Sequence, residues 1–304
     1  MTGPATVGQT RLSWNLPGDL HQLVAYHFMV NAFEVGTVTA VVAGAIGWFM
    51  VLRRQSFAGH TLAVVAFPGA AGAIWLGLNA AVGYFGFAAG AALVFAALPR
   101  SPSGKGFSEE SAVIGTVQAM ALAAGFLFVS LYRGFLDSLT GLLFGSFLGV
   151  TDGQVLLVAL VGLASLAALG LMARPLFFAT VDEDVARARG VPVRLLSTVF
   201  LLVLGLAAAE VSQVTGSLLV FALLVMPAAA AQQVTARPGW SFTLTVLLSL
   251  VVTWLGLAAA YFSIYPVGFF VTTFGFATYL LAVGSRGLLA RRGRQVRGPL
   301  VVAG

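Results

Sequence analysis

Long apolar runs follow one another along almost the whole chain, and short polar stretches separate them. Nine such segments cover residues 24–52, 61–81, 83–98, 111–131, 155–173, 195–211, 216–234, 241–262 and 267–285. About 20 apolar residues in an α-helix cross the hydrocarbon core of a bilayer, and all but the third segment are long enough to do so. The pattern predicts an all-α, polytopic transmembrane helical bundle with about nine spans, or eight if one segment does not cross.

The composition agrees with a chain embedded in lipid. Of the 304 residues, 59% are hydrophobic and 9% are charged, whereas about 25% of an ordinary soluble domain is charged. We expect a polar N-terminal segment at 1–22, a single transmembrane domain at 23–285 and a basic tail at 286–304. The chain has no cysteine, which excludes disulfides and thiolate metal sites. The net charge of +6 sits mostly at segment ends, so we do not expect a nucleic acid partner.

Lysine and arginine are distributed unevenly between the two sides that this alternation defines. If the N-terminus lies outside and every segment crosses once, the inner loops and the tail hold 14 of these residues and the outer loops hold 2. Because cytoplasmic loops are enriched in Lys and Arg, we expect an outer N-terminus and a cytoplasmic C-terminus. The loops at 99–110, 174–194 and 235–240 are then cytoplasmic.

Small residues recur at a spacing of four within several segments. Gly36, Ala40 and Gly44 share one helix face, and Gly86 and Gly90 repeat the spacing. Helices in lipid approach closely where such residues face a neighbour, so these faces are expected contact faces. A further apolar, glycine-rich stretch at 139–150 is too short to cross alone and is expected to be re-entrant or partly buried.

The loop at 174–194 contains the signals of a short, capped helix. Thr180 followed by Glu183 fits a capping box, and the acids Asp182, Glu183 and Asp184 crowd the expected first turn, where the helix dipole favours them. Arg187 and Arg189 follow, and Gly190 is a typical stop signal. We expect a helix of about nine residues. It is either a surface connector or a docking element for a soluble partner.

Few ionisable residues lie within the apolar segments, and such residues are costly in lipid and usually face a cavity or a partner. His27, Asn31 and Glu34 share a helix face and offer an imidazole, an amide and a carboxylate to a passing divalent cation; the alternative is an interfacial polar patch. His60 lies at the mouth of the second segment. Glu210, near a segment end, is expected to reach the outer surface rather than to line a pathway.

No enzyme signature is present in the sequence. The chain lacks the P-loop pattern, so it is not expected to bind or hydrolyse a nucleotide by itself. Zincin and serine-hydrolase motifs are also absent. With three His and no Cys, a closed protein-only zinc site is not expected. We therefore expect a membrane protein without catalytic residues and without a bound cofactor of its own.

Several stretches, taken in order, resemble the permease subunits of ABC-3-type importers of zinc and manganese. The stretches are VLRRQSFAGHTLAVVAFPG at 51–69, LFGS at 143–146, RPL at 174–176, DEDVARARGVP at 182–192, GSLLVFALLVMPAAAA at 216–231 and YPVG at 265–268. They are similar to the family patterns LRR-x-S-x-x-GDAxSHAxxPG, LFG, DEExArarGlp, G-x-LL-x-x-ALL-x-x-PAAxA and P-x-G. The resemblance covers roughly residues 28 to 282.

The resemblance implies a membrane core in a bacterial plasma membrane, formed with a second permease chain as a homodimer or heterodimer. It implies two cytoplasmic ATP-binding cassette subunits that carry the ATP, and an extracytoplasmic metal-binding protein that delivers a divalent metal ion. It also implies that the helix near 182–190 is the coupling helix that docks on the ATPase, with Asp182, Glu183, Asp184, Arg187, Arg189 and Gly190 at the contact.

The second segment departs from the family pattern. Where the family has Asp and, four residues later, His, this chain has His60 and Val64, and Ala63 replaces the family Ser. A metal-pathway role therefore transfers only to His60. Three explanations remain open. The metal passes other groups, such as the His27, Asn31 and Glu34 stripe, or a heterodimer partner supplies the ligands. Alternatively, the cargo is neither zinc nor manganese.

Two further classes of transporter are alternatives to this function. One is an ABC importer permease for cobalamin or iron siderophores, which also has many spans. The other is a secondary transporter driven by an ion gradient, for which an acid and a base deep in the spans and a pair of broken helices are expected. A non-transporting membrane scaffold would leave the capped inner helix without a purpose.

Overall fold

The computed structural model describes residues 23, 25–97, 106–132, 150–217, 220–263 and 265–296. Helices dominate this part of the chain, which contains no β-strand. They are α1 His27–Leu52, α2 Ser56–Trp75, α3 Ala80–Ala97, α4 Gly106–Leu131, α5 Asp152–Val181, α6 Glu183–Ala188, α7 Val193–Thr215, α8 Val220–Val234, α9 Pro238–Tyr261 and α10 Val267–Val296. The N-terminal segment 1–22 and the stretch 139–149 lie outside the described residues.

Eight of these helices are long and apolar enough to cross a membrane, and α8, with 15 residues, is shorter. The predicted all-α transmembrane bundle is therefore confirmed. One boundary differs clearly, because α5 continues eight residues beyond the expected end at 173 and reaches Val181. The residues after Pro175 are apolar, so they prolong the helix, and Pro175 is accommodated inside it.

Contacts between helices fix the direction in which each one runs. At one end of the bundle His27 of α1 meets Asp152 of α5, and at the other end Arg53, just after α1, meets Thr180 of α5. These two helices are therefore parallel. Arg53 also meets Ser197, near the start of α7, so α7 runs in the opposite direction. We call the end that carries α6 and Arg53 the α6 end, and the end that carries His27 the far end.

The same reasoning shows how α8 crosses the bundle. Trp48 of α1 donates a hydrogen bond to Ser241 of α9, and Trp254 of α9 donates one to Thr37 of α1, so α9 is antiparallel to α1. It follows that α7 ends at the far end and α9 begins at the α6 end. The chain between them must return to the α6 end, and α8 lies on that return beside one turn of α1, because Leu224 packs on Gly47 and Gln232 donates a hydrogen bond to the carbonyl of Trp48. Within the described chain, the eight long helices and this return alternate in direction.

Glycine positions set the closest helix approaches in the core. A Cβ on Gly47 of α1 would overlap the carbonyl oxygen of Leu224 in α8, and a Cβ on Gly44 would lie 3.0 Å from Oγ of Ser249 in α9. Gly44 is therefore a contact position, as expected. Gly86 and Gly90 of α3 have no atom within 4 Å of their built Cβ positions, so within the described chain they are not contact positions.

Candidate functional site

The α6 end carries the short charged helix that the sequence predicts, with a different cap. Asp182 is the N-cap residue, and one of its carboxylate oxygens accepts a hydrogen bond of 2.9 Å from the backbone N–H of Val185. Thr180 is still within α5, and its hydroxyl donates to the carbonyl of Leu176. The expected Thr180 cap is therefore wrong, because a residue caps a helix only where its own backbone leaves the helix. The helix has six residues rather than about nine.

The remaining features of α6 agree with the prediction. Glu183 and Asp184 occupy the first turn, Arg187 forms ion pairs with both of them, and Gly190 has a φ of +79° directly after the helix. The helix is exposed except for Ala186, which packs against Ala179 of α5 and Val193 of α7. The six predicted docking residues are thus gathered on one exposed element that two long helices hold in place. They are Asp182, Glu183, Asp184, Arg187, Arg189 and Gly190.

His60 lies near the α6 end, in the first turns of α2. Its ring is half-buried and packs edge-on against Phe221 of α8, with the ring centroids 5.0 Å apart. The Nδ1 atom is buried and has no hydrogen-bond partner in the described part of the chain. One turn further, Val64 is buried and brings no ligand. His60 therefore offers a single nitrogen where the family pattern has two ligands.

The predicted stripe at the far end comes together only in part. His27 Nε2 lies 2.9 Å from Oδ1 of Asp152, and Asn31 donates a hydrogen bond of 2.7 Å to the same oxygen and one of 3.3 Å to the carbonyl of Val150. Glu34 is exposed and lies apart from this cluster. Asp152, which the sequence analysis did not single out, takes the place expected for Glu34.

A local signal for Asp152 was present in the sequence. Thr151 caps α5 and exchanges hydrogen bonds with Gln154 in a capping box, which places Asp152 in the first turn of the helix. Such a box marks a helix start, but it does not reveal the partner helix. Only the parallel packing of α5 on α1 brings the carboxylate to His27 and Asn31.

The two candidate positions for a metal do not form one site. Gly59, the neighbour of His60, packs against Met50 near the end of α1. Along α1, His27 and Met50 are about 35 Å apart. In the part of the chain that the structure describes, no group of three or more His, Asp or Glu side chains converges as a metal site would require. The arrangement offers separate polar points at opposite ends of the bundle.

Glu210 is not at the surface, which corrects the expectation from the sequence. Its side chain on α7 is fully buried, and neither carboxylate oxygen has a hydrogen-bond partner among the described residues. Oε1 lies 3.1 Å from the point where a Cβ on Gly162 of α5 would be, close to methyl groups of Val38 and Val42 of α1. The carboxyl group lies between α1, α5 and α7, beside apolar side chains.

The fold is a bundle of long apolar helices with an exposed charged helix held between two of them, as in a transport permease. The profile of the ABC 3 transport family matches residues 25–285, and the chain belongs to this family. The resemblance found in the sequence is therefore confirmed. Since the family and the long apolar helices agree, the protein is a multi-pass protein of the cell membrane.

Individual relatives are similar in sequence, and one solved chain is similar in structure. The manganese import system permease protein ScaB of Streptococcus parasanguinis is 29% identical over 222 residues, which cover 73% of this chain and 77% of ScaB. The manganese transport system membrane protein MntC of Halalkalibacterium halodurans is 27% identical over 250 residues, covering 82% of this chain and 83% of MntC. A chain in the structure of PsaBC from Streptococcus pneumoniae in complex with Fab superposes with a TM-score of 0.78 at 26% identity, covering 88% of this chain and 95% of that one.

Proposed function

We propose that the chain is the membrane-spanning permease subunit of an ATP-binding cassette importer for a divalent transition metal ion of the zinc and manganese class. An extracytoplasmic binding protein delivers the ion, and separate cytoplasmic subunits hydrolyse ATP. A second permease chain completes the pathway. The observation that carries the proposal is α6, an exposed charged helix fixed between two spans in a chain of the ABC 3 transport family.

The orientation follows from the arginines. Those whose side chains the structure describes all lie in the half of the bundle towards the α6 end, namely Arg53, Arg54, Arg174, Arg187, Arg189, Arg194, Arg237 and Arg286. Because basic residues concentrate on the cytoplasmic side, the α6 end faces the cytoplasm and the far end faces outwards. The N-terminus is then outside and the C-terminus inside, as the sequence analysis expects. In this orientation α6 is accessible to a cytoplasmic ATPase subunit.

The packing of α6 suits a docking role. A partner that binds α6 and moves it displaces α5 and α7 together, because Ala186 packs against Ala179 of α5 and Val193 of α7. The exposed charges of the helix provide specificity for the partner rather than a large binding energy. A rigid, capped element transmits displacement better than a frayed loop, since little of the motion is lost in bending.

The cargo is inferred from the relatives and from the chemistry of the far end. ScaB and MntC are named as manganese permeases. Carboxylate and carbonyl oxygens suit manganese, and Asp152 and the carbonyl of Val150 lie beside Asn31. A pathway needs only transient contacts, because tight capture belongs to the external binding protein. His27, Asn31 and Glu34, with Asp152 added, and His60 remain our candidate pathway residues.

The docking role of α6 is tested by charge reversal. The permease is co-expressed with its cognate ATPase subunit and binding protein, and the complex is purified and reconstituted. Replacing Arg187 and Arg189 together by Glu is expected to lower the amount of co-purified ATPase and the metal-stimulated ATP hydrolysis by at least about tenfold, as removal of an electrostatically matched contact does. Uptake of manganese, zinc and iron is measured in the same vesicles to identify the cargo.

Arg237→Glu is the matched control, because Arg237 is an exposed arginine at the same end but outside α6. It is expected to leave assembly and hydrolysis unchanged. The docking assignment is wrong if the double variant assembles and hydrolyses ATP like the unmodified protein. Accumulation of metal by the permease alone, without the ATPase, would contradict the proposed class of transporter.

A further inference from the structure

Arg53 contacts two different helices at the α6 end, α5 and α7. Its guanidinium donates a hydrogen bond of 3.0 Å from Nη1 to the hydroxyl of Thr180 at the end of α5, and one of 2.8 Å from Nη2 to the hydroxyl of Ser197 in the first turns of α7. It also lies over the ring of Phe200, 5.4 Å from the ring centroid. Arg53 itself ends α1.

These partners are the two helices that flank α6. Thr180 lies two residues before the N-cap residue Asp182, and Ser197 lies near the start of the helix that follows α6. Any displacement of α6 therefore reaches Arg53 from both sides. Ser197 and Phe200 are buried, whereas Arg53 and Thr180 are partly exposed.

The third N–H group of the guanidinium that forms a hydrogen bond, Nε, faces the start of α2. Nε donates a hydrogen bond of 3.2 Å to Oε1 of Gln55, which is the N-cap residue of α2. His60, the candidate pathway residue, follows five positions later on that helix. Arg53 thus joins the helices on both sides of α6 to the start of the helix that carries His60.

We propose that Arg53 is a positioning residue of the transport cycle, which transmits displacement of α6 to α2 by holding Thr180, Ser197 and Gln55 on one guanidinium. The inference rests on the proposed function, because it needs α6 to be the element that the ATPase moves. A guanidinium suits the task, since its planar fork donates in several fixed directions at once, whereas the ammonium of lysine is a point charge on a flexible stem.

Arg53→Lys separates this role from a purely structural one. The positive charge remains, and the fork is lost. We expect the reconstituted complex to contain the usual amount of ATPase and to keep its basal ATP hydrolysis, while its melting temperature falls only as far as the loss of hydrogen bonds to Thr180 and Ser197 requires. Metal uptake per ATP hydrolysed is expected to fall by about tenfold, the ratio that corresponds to loss of one hydrogen bond to a charged group.

Two milder variants remove single contacts, so the test does not depend on the folding of one variant. Thr180→Val and Ser197→Ala each delete a hydroxyl and keep the shape of the side chain, and each is expected to lower uptake per ATP. Combined with Arg53→Lys, neither is expected to lower it further, because groups that act through one another are non-additive. Arg54→Lys is the matched control, since Arg54 is adjacent and exposed, and it is expected to behave like the unmodified protein.

Different experimental results would contradict the proposed function and the inference about Arg53. If the unmodified complex shows no ATP-dependent metal uptake, the proposed function itself is wrong. If that complex transports and Arg53→Lys transports with the same uptake per ATP, the inference about Arg53 is wrong. It is also overturned if Arg53→Lys loses the ATPase or its basal ATP hydrolysis, because Arg53 then serves assembly rather than transmission.

Discussion

Glu210 is a carboxylic acid buried beside apolar side chains in the described part of the bundle. It is fully buried, its two oxygens have no hydrogen-bond partner among the described residues, and its surroundings are Gly162, Val38 and Val42. Burial of an unpaired polar group costs about 1–3 kcal/mol by mutational measures. The residue therefore lowers the stability of the bundle.

Replacing Glu210 by Leu is expected to raise the melting temperature of the detergent-solubilised protein. The apolar side chain removes the unpaired carboxyl group and packs against the same valines, which stabilises by about 1–3 kcal/mol. Glu210→Gln is the matched variant, because it keeps the shape and leaves an amide equally unpaired, and it is expected to change the melting temperature little. A lower melting temperature for the Leu variant would show that the carboxyl group has a partner in the membrane-embedded protein.

Positions on a single helix were visible in the sequence, whereas contacts between helices were not. The spacing of His27 and Asn31 placed them on one face, and the structure brings them to the same carboxylate. That carboxylate belongs to Asp152, on a helix more than a hundred residues away, and its position depends on how α5 packs against α1. Glu210 was misplaced for the same reason, since the polar residues that follow it suggest a surface turn and only tertiary packing buries it.

Helix contacts in this bundle depend on which glycines face a neighbouring helix. The spacing of small residues in the sequence does not show which glycines these are. Gly47 of α1 has the carbonyl of Leu224 where a Cβ would be, so α1 and α8 touch through their backbones. Gly86 of α3 also lacks a side chain, but the space around its built Cβ position is open. A spacing of four identifies a face that permits close approach, but the neighbour decides whether the approach occurs.

Gly47→Ala is therefore expected to disrupt the bundle, and Gly86→Ala to be tolerated. The added methyl group at position 47 meets backbone, which cannot rotate away, so α8 must shift; overpacking of this kind typically costs about 1–3 kcal/mol and sometimes more. Melting temperature and the yield of monodisperse protein in detergent measure the difference. Equal behaviour of the two variants would contradict the close α1–α8 contact.

Signals for the ends of helices were partly reliable. The glycine after α6 was predicted and has the left-handed backbone that such a stop requires, whereas the cap was assigned to Thr180 instead of Asp182. Both residues fit the preference of helix caps for Thr and Asp. The difference lies in the apolar residues before Thr180, which prolong α5 until the threonine is inside the helix. A capping pattern cannot be assigned without knowing where the preceding helix ends.

In the whole molecule, the eight long described helices and the return through the short α8 alternate in direction. The sequence predicts about nine spans, or eight if one segment does not cross, and it marks 83–98 as the short segment. The helix there, Ala80–Ala97, is long enough to span, whereas α8 has 15 residues. Contacts such as that between Trp48 and Ser241 establish the relative direction of two helices. The distribution of arginines indicates which end of the bundle faces the cytoplasm.

Single cysteines test this orientation and the crossing of α8 together, because the chain has no cysteine of its own. Gly153, at the far end, and Gly239, at the α6 end, are both exposed with open space around their built Cβ positions, so neither substitution disturbs packing. A membrane-impermeant maleimide is expected to label Gly153→Cys in intact cells and Gly239→Cys only after permeabilisation. Labelling of both from outside would mean that α8 does not cross, since 239 would then lie on the same side as 153. The reverse pattern would keep the nine passages and invert the bundle, which would place α6 outside the cytoplasm and exclude it as the docking element for an ATPase.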